Sequence, residues 1–173
     1  MKKLVSLFLA MVMTFCAVSA FAATEINWDA LQEQGADMIA SGKMVTFDEI
    51  SVQMWMPDVL IPAELTDEDK AQGYIGYYAT ESGSAAVAVM YADVNGMTLE
   101  DYKAQLAEIG ATEIEDVIIN GLPAVSYALE ESDTACVAFA TEAGYIFEVS
   151  GAPKSDEGFA SVLMFVMASI QAA

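Results

Sequence analysis

The pair Asn120-Gly121 stands between Val117-Ile118-Ile119 and Leu122-Pro123-Ala124-Val125. Both turn residues tolerate positive φ, as a two-residue β-turn demands, so two strands must run antiparallel here. Pro123 lacks an N–H donor, which puts it at a sheet edge or turns its nitrogen outward. The same grammar recurs along the chain. ESG separates GYIGYYAT from SAAVAVMYAD, and Glu142-Ala143-Gly144 divides two further apolar runs. In the second of these strands Val87, Val89 and Tyr91 share one face, and Ala86, Ala88 and Met90 share the other. A strand apolar on both faces needs cover on both, and is expected inside its sheet.

Helices interrupt these hairpins rather than alternate with them. Asn27 can cap a first helix through Leu31, Met38 and Ile39, weakened at Gly35 and ended at Gly42. Thr98 and Asp101 form a capping box before Leu99, Tyr102, Leu106 and Ile109, which line one helix face. A last helix aligns Phe159, Val162, Leu163, Val166, Met167 and Ile170, with Met164 and Phe165 off the stripe. The order α-β-β-β-α-β-β-β-β-α predicts an α+β fold, an antiparallel β-sheet of about six to seven strands with helices packed on its faces. Neither a repeat nor a linker interrupts residues 23–173, which are expected to form a single domain.

Residues 1–22 read as a cleaved signal peptide. Lys2 and Lys3 precede the apolar run LVSLFLAMVMTFCAV, and Ala20-Phe21-Ala22 supplies an A-x-A cleavage site. The run is short for a membrane span. Phe15 stands where a lipid attachment signal at Cys16 would want a small residue. A secreted or extracytoplasmic protein follows, without a stable membrane anchor after cleavage.

Loss of both leader lysines takes the formal charge from −20 to −22, with 26 acids against Lys43, Lys70, Lys103 and Lys154. The sequence contains neither Arg nor His. Such a surface cannot neutralise phosphates, so nucleic acid is excluded as a partner. Anionic membranes should be repelled too, whereas a cationic protein or peptide would be attracted. Removal of Cys16 leaves Cys136 alone, so no intramolecular disulfide can form. Its apolar setting, TACVAFAT, suggests a buried thiol.

Catalytic chemistry finds little support. Without His, Ser–His–Asp and Cys–His sites are impossible. Zinc needs His or Cys clusters. Calcium could use the acids of DEDKAQG (Asp67, Glu68, Asp69) or of DVNGMTLED (Asp93, Asn95, Glu100, Asp101). The latter opens like an EF-hand loop, but Gly96 comes early and no Glu closes the frame. A solvated turn with a helix cap explains it as well. Two carboxylates across a cleft could hydrolyse a glycoside, but no pair stands out among so many acids. The chain is therefore read as a non-enzyme without cofactors, an exported acidic binding or accessory protein. A carboxylate-pair hydrolase and a calcium-tuned module are the alternatives.

The candidate interaction surface comprises Trp55, Leu60, Ile61, Tyr74 and Tyr78. In VQMWMPDVLIP, Val52, Met54 and Met56 share a core face, leaving Trp55 on the other. Pro57 ends the strand, and Leu60 and Ile61 follow in the connection. Were a helix to cover Trp55, the stretch would simply be a strand end; were it open beside Leu60 and Ile61, it would be a binding surface. Strict alternation puts Tyr74 and Tyr78 on one face of their strand and Tyr77 on the opposite one. An unknown protein or peptide partner would dock there.

Several phrases carry a family resemblance. FDEISVQMWMP looks like a first strand closed by proline. NGLPAVSY, with Gly121, Pro123, Ala124 and Tyr127, looks like the central hairpin, and YIFEVSGAP and FASVLMFVMASI, with Ser169, like the last strand and helix. From about Thr46 to Gln171 the chain resembles the PsbP-like fold, shared by photosystem accessory subunits and many small exported bacterial proteins. The resemblance implies an α/β/α sandwich and a non-catalytic binding or accessory role at an extracytoplasmic surface. It carries no catalytic residues. The acidity departs from those subunits, so a photosynthetic role is not implied.

Overall fold

A computed structural model describes residues 23–173. The signal-peptide reading of residues 1–22 lies outside them.

Six long strands build the centre: β5 (Tyr74–Ala79), β6 (Ala86–Asp93), β7 (Thr112–Ile119), β8 (Leu122–Leu129), β9 (Thr134–Ala140) and β10 (Tyr145–Ala152). Two short strands, β1 (Thr24–Ile26) and β4 (Ile61–Pro62), extend them into an eight-stranded sheet ordered β1-β7-β8-β9-β10-β6-β5-β4. Its pairings are antiparallel except for β1 on β7. A second sheet of three strands, β11-β3-β2, comprises β2 (Gly42–Phe47), β3 (Val52–Pro57) and β11 (Gln171–Ala172). The helices among the described residues are α1 (Trp28–Gln34), α2 (Ala36–Ile39), α3 (Asp67–Ala71), α4 (Leu99–Glu108) and α5 (Glu157–Ala168).

Local sequence signals become these elements by identifiable means. Asn120 and Gly121 both take positive φ in the β7–β8 turn, as expected of a tight hairpin. Pro123 pairs with Ile118 of β7, while pairing to β9 begins only at Val125. The proline thus occupies a stretch with a strand on one side, where its missing N–H costs no ladder bond. Thr98 and Asp101 close the capping box of α4, and Thr66 and Asp69 do the same for α3.

The first expected helix instead divides at Gly35 into α1 and α2. A side chain at Gly35 would collide with the ring of Phe165, so the missing Cβ lets α5 approach closely. Gly42 does not cap a helix; it opens β2, opposite Pro57.

One face of the main sheet carries most of the core. Val87 and Val89 of β6, Phe147 and Val149 of β10, and Val137 of β9 pack there beneath the small sheet and α5. Phe47 reaches across from β2 to Tyr78, with ring centroids 6.4 Å apart. Val52, Met54 and Met56 lie on that inner side of β3. Trp55, on the outer side, is nevertheless only 2% exposed. Phe165 of α5 meets it edge-on at 6.4 Å, and its Nε1 donates to the Ile39 carbonyl at 3.1 Å. Gly42 makes room, since a Cβ there would lie 2.5 Å from Nε1.

Two polar side chains fasten this layer. Ser169, just past α5, accepts from the Trp55 backbone N–H at 2.7 Å and donates to the Val166 carbonyl. It satisfies a buried donor just beyond the pairing of β11 with β3. Asn120 does more than turn a hairpin. Its Oδ1 accepts from Trp28 N at 2.7 Å, and its Nδ2 donates to the carbonyls of Ala168 and Ile170.

The opposite face of the main sheet holds a smaller cluster. Leu106 of α4 packs on Val125, Tyr127, Cys136, Ala138 and Ile146. Lys103 adds an ion pair at 2.8 Å from α4 to Asp116 of β7. The layers are therefore helices and small sheet, main sheet, then α4: an α/β/α sandwich.

Candidate functional site

The five residues expected to form one interaction surface are dispersed. Trp55 and Leu60 are buried, and the open patch expected around them is corrected. The reason for Trp55 is the cover from α2 and α5; Leu60 joins the main core, its N–H bonded to the Pro57 carbonyl at 3.0 Å. The stretch from Val52 to Pro57 is a strand that ends at the proline, and a turn then leads to β4. Ile61 is 53% exposed on β4.

Tyr74 and Tyr78 also part company. A register shift between Tyr74 and Gly76 sets Tyr74 opposite Met90 but Tyr78 opposite Val87. Met90 and Val87 point to opposite faces of β6, so the two tyrosines do as well. Tyr78 turns inward against Phe47, and burial raises its pKa. Tyr74 and Tyr77 share the α4 side of the sheet. The bulge itself leaves no strong mark in YIGYY, apart from Gly76. That glycine admits Phe47, whose Cε1 would lie 2.9 Å from an added Cβ.

Cross-strand register assembles a different surface. Ile61, Ala79 and Ala86 form one row across β4, β5 and β6. Tyr77, Ala88 and Ser150 form the next, and Tyr74, Met90 and Glu148 the third. All lie on the face that α4 covers farther along, over β7 to β10. Over β4 to β6 the rows remain half-exposed, and Tyr77 is 40% exposed. Among the described residues this apolar sheet surface belongs to neither core cluster.

Glu148 marks its border. On one side it pairs with Ala138, buried under α4; on the other it pairs with half-exposed Met90. Tyr102 of α4 donates to its Oε2 at 2.6 Å, and Tyr127 of β8 donates to the same oxygen at 2.5 Å. Burial first, and then the charge of Glu148, drive both phenols well above the ordinary tyrosine range. They remain protonated donors. Cys136, next to this group, is pushed up to about 12 by burial and then by Glu148. A thiol so protonated is no nucleophile at neutral pH. This cluster was invisible to sequence reading, since it joins four elements and its members look like core residues singly.

The acidic loops show ordinary uses for their carboxylates. Asp93 accepts from Asn95 N, and Asp101 accepts from the N–H and hydroxyl of Thr98. Those Thr98 bonds lower the Asp101 pKa. Among the described residues no group of three or more His, Cys, Asp or Glu is placed to hold a metal ion. A shallow cleft of about 480 Å³ lies between Gly96–Leu99 and Ala140–Gly144, without a titratable side chain other than Glu142.

No family model matches the sequence, and comparison with curated proteins returns no match. Among solved structures, the chain is similar to cyanobacterial PsbP (CyanoP) from Synechocystis sp. PCC 6803. The TM-score is 0.57 at 12% identity, covering 78% of this chain and 94% of that one. The fold is PsbP-like; at this identity the likeness speaks for the fold alone.

Proposed function

We propose that this protein is an exported, non-catalytic accessory protein that docks a protein partner on the open half of its main sheet. One observation carries the reading: the apolar rows of β4, β5 and β6 lie on the same face as α4, yet among the described residues they belong to neither core cluster and stay partly exposed. Apolar sheet surface left in water is costly, and contiguous patches of this kind mark interaction sites. The strong negative charge keeps such a surface soluble and favours a cationic partner. The leader-like residues 1–22 support export. The PsbP-like fold supports an accessory role.

The chemistry at Glu148 agrees with this reading. Its closest polar partners are two phenols that donate to it. Paired-carboxylate hydrolysis would instead need a second acid across a cleft.

Site-specific photo-crosslinking tests the proposal. A photoreactive residue would replace Tyr77 or Ala88 on the open face, and Met44 or Ile109 elsewhere, in protein exported by its native host. A discrete crosslinked protein from the first pair alone is the expected result. Equal yields from all four positions, or turnover of a glycan library by the purified protein, would defeat it.

A further inference from the structure

Both phenols converge on Oε2 of Glu148, so Oε1 has no hydrogen-bond partner among the described residues. No lysine pairs with Glu148 among the described residues: Lys103 is held by Asp116 and Glu100, Lys154 by Glu130, and Lys43 and Lys70 make no ion pair. The sequence supplies no Arg or His. A carboxylate with one anchored and one open oxygen thus stands at the margin of the apolar rows. Tyr102 and Tyr127 fix its orientation from two elements, α4 and β8. Little side-chain freedom remains to be lost when a cation arrives.

The neighbours along the sheet say which cation fits. Met90 lies directly across from Glu148 in register, and Ala88 and Tyr77 lie in the adjoining row. A long aliphatic stem could lie along Met90 while its charged tip meets Oε1. Arginine's fork prefers both oxygens of a carboxylate, and Oε2 already accepts twice. The compact ammonium of lysine needs only one. A second copy of this chain is disfavoured as occupant, since each copy carries the same large negative charge.

We propose that the open half of the sheet recognises a lysine-bearing segment of its partner, with the ammonium on Oε1 of Glu148 and apolar side chains on Met90, Ala88 and Tyr77. This rests on the docking reading above and specifies its partner chemistry.

Isotope-edited NMR titration provides the test. The probes are a blocked peptide alternating valine and lysine, and the same peptide with its lysines acetylated. Acetylation removes the charge but keeps the stem. The lysine peptide should shift the amides of Ala88, Met90 and Glu148, and acetylation should weaken it about tenfold, the scale of one charged hydrogen bond. Glu148→Gln should abolish the preference between the two peptides. Should that variant fail to fold, the peptide pair still decides on the unaltered protein. Equal binding of both peptides to this face would overturn the lysine recognition and leave the docking reading standing. Shifts confined to acidic segments elsewhere, such as α3 (Asp67–Ala71), or none at all, would overturn both.

Discussion

The α4 side of the main sheet is two surfaces in one plane. Over β7 to β10, Leu106 closes a compact cluster, Tyr102 bonds Glu148 and Lys103 bonds Asp116. Over β4 to β6, rows of similar apolar character remain half-exposed. The strands differ little in hydrophobicity. What differs is the cover: a helix of ten residues closes one half and does not reach the other. A buried strand face therefore reports stability, while the less covered one is where the proposed partner would dock.

The largest expected effect breaks the symmetry of the comparison directly. Leu106→Ala should cost about 2–5 kcal/mol by urea denaturation, because it empties a site closed by α4. Met90→Ala, on the open half, should cost less than about 1 kcal/mol, as a half-exposed site leaves no cavity. Similar losses from the two variants would mean that the open half is not open.

Next in size is the polar link between the halves. Tyr127→Phe removes a buried donor to Glu148 and should cost about 1–3 kcal/mol. An unchanged midpoint would show that the bond holds nothing in place. Thr98→Ala removes the cap of α4 and should cost about 1 kcal/mol. Since α4 covers only one half, hydrogen exchange should quicken in β7–β10 amides facing it and stay constant in β5. Uniform quickening would show that the halves are one cooperative unit.

The smallest effect near neutrality concerns Cys136. Its folded pKa, pushed up to about 12 by burial and Glu148, exceeds an ordinary value of 9.0. The unfolded chain therefore loses this proton first as pH rises, and stability contributed by the protonated thiol is present below pH 9 and lost progressively above it. Cys136→Ala should flatten that alkaline decline. Alkylation of native protein at pH 8 should be slow compared with urea-unfolded protein; equal rates would place the thiol in the open.

Much of the fold was legible in short-range signals. Asn120-Gly121 gave a hairpin because few residues tolerate two positive φ values. Thr98 and Asp101 gave a helix start because their reciprocal bonds need only local spacing. Even the strand end at Pro57 was readable from its missing donor. The alternation of Val52, Met54 and Met56 correctly marked an inner face.

Other features depended on contacts made far along the chain. Trp55 reads as an outward residue, but Phe165 lies 110 positions away in sequence and covers it. Strand alternation put Tyr74 with Tyr78, yet a bulge between Tyr74 and Gly76 separated them. Short β1, β4 and β11 carry too few residues to show a period, and form only where a longer neighbour offers free backbone groups.

Sequence by itself determined the acidity, the hairpin order and the helix caps, since charge, turn geometry and local hydrogen bonding act over a few residues. Only the tertiary structure decided which apolar face stays open and where Glu148 sits. Both depend on how far α4 reaches across a sheet whose strand order, β10-β6-β5, joins segments distant in sequence.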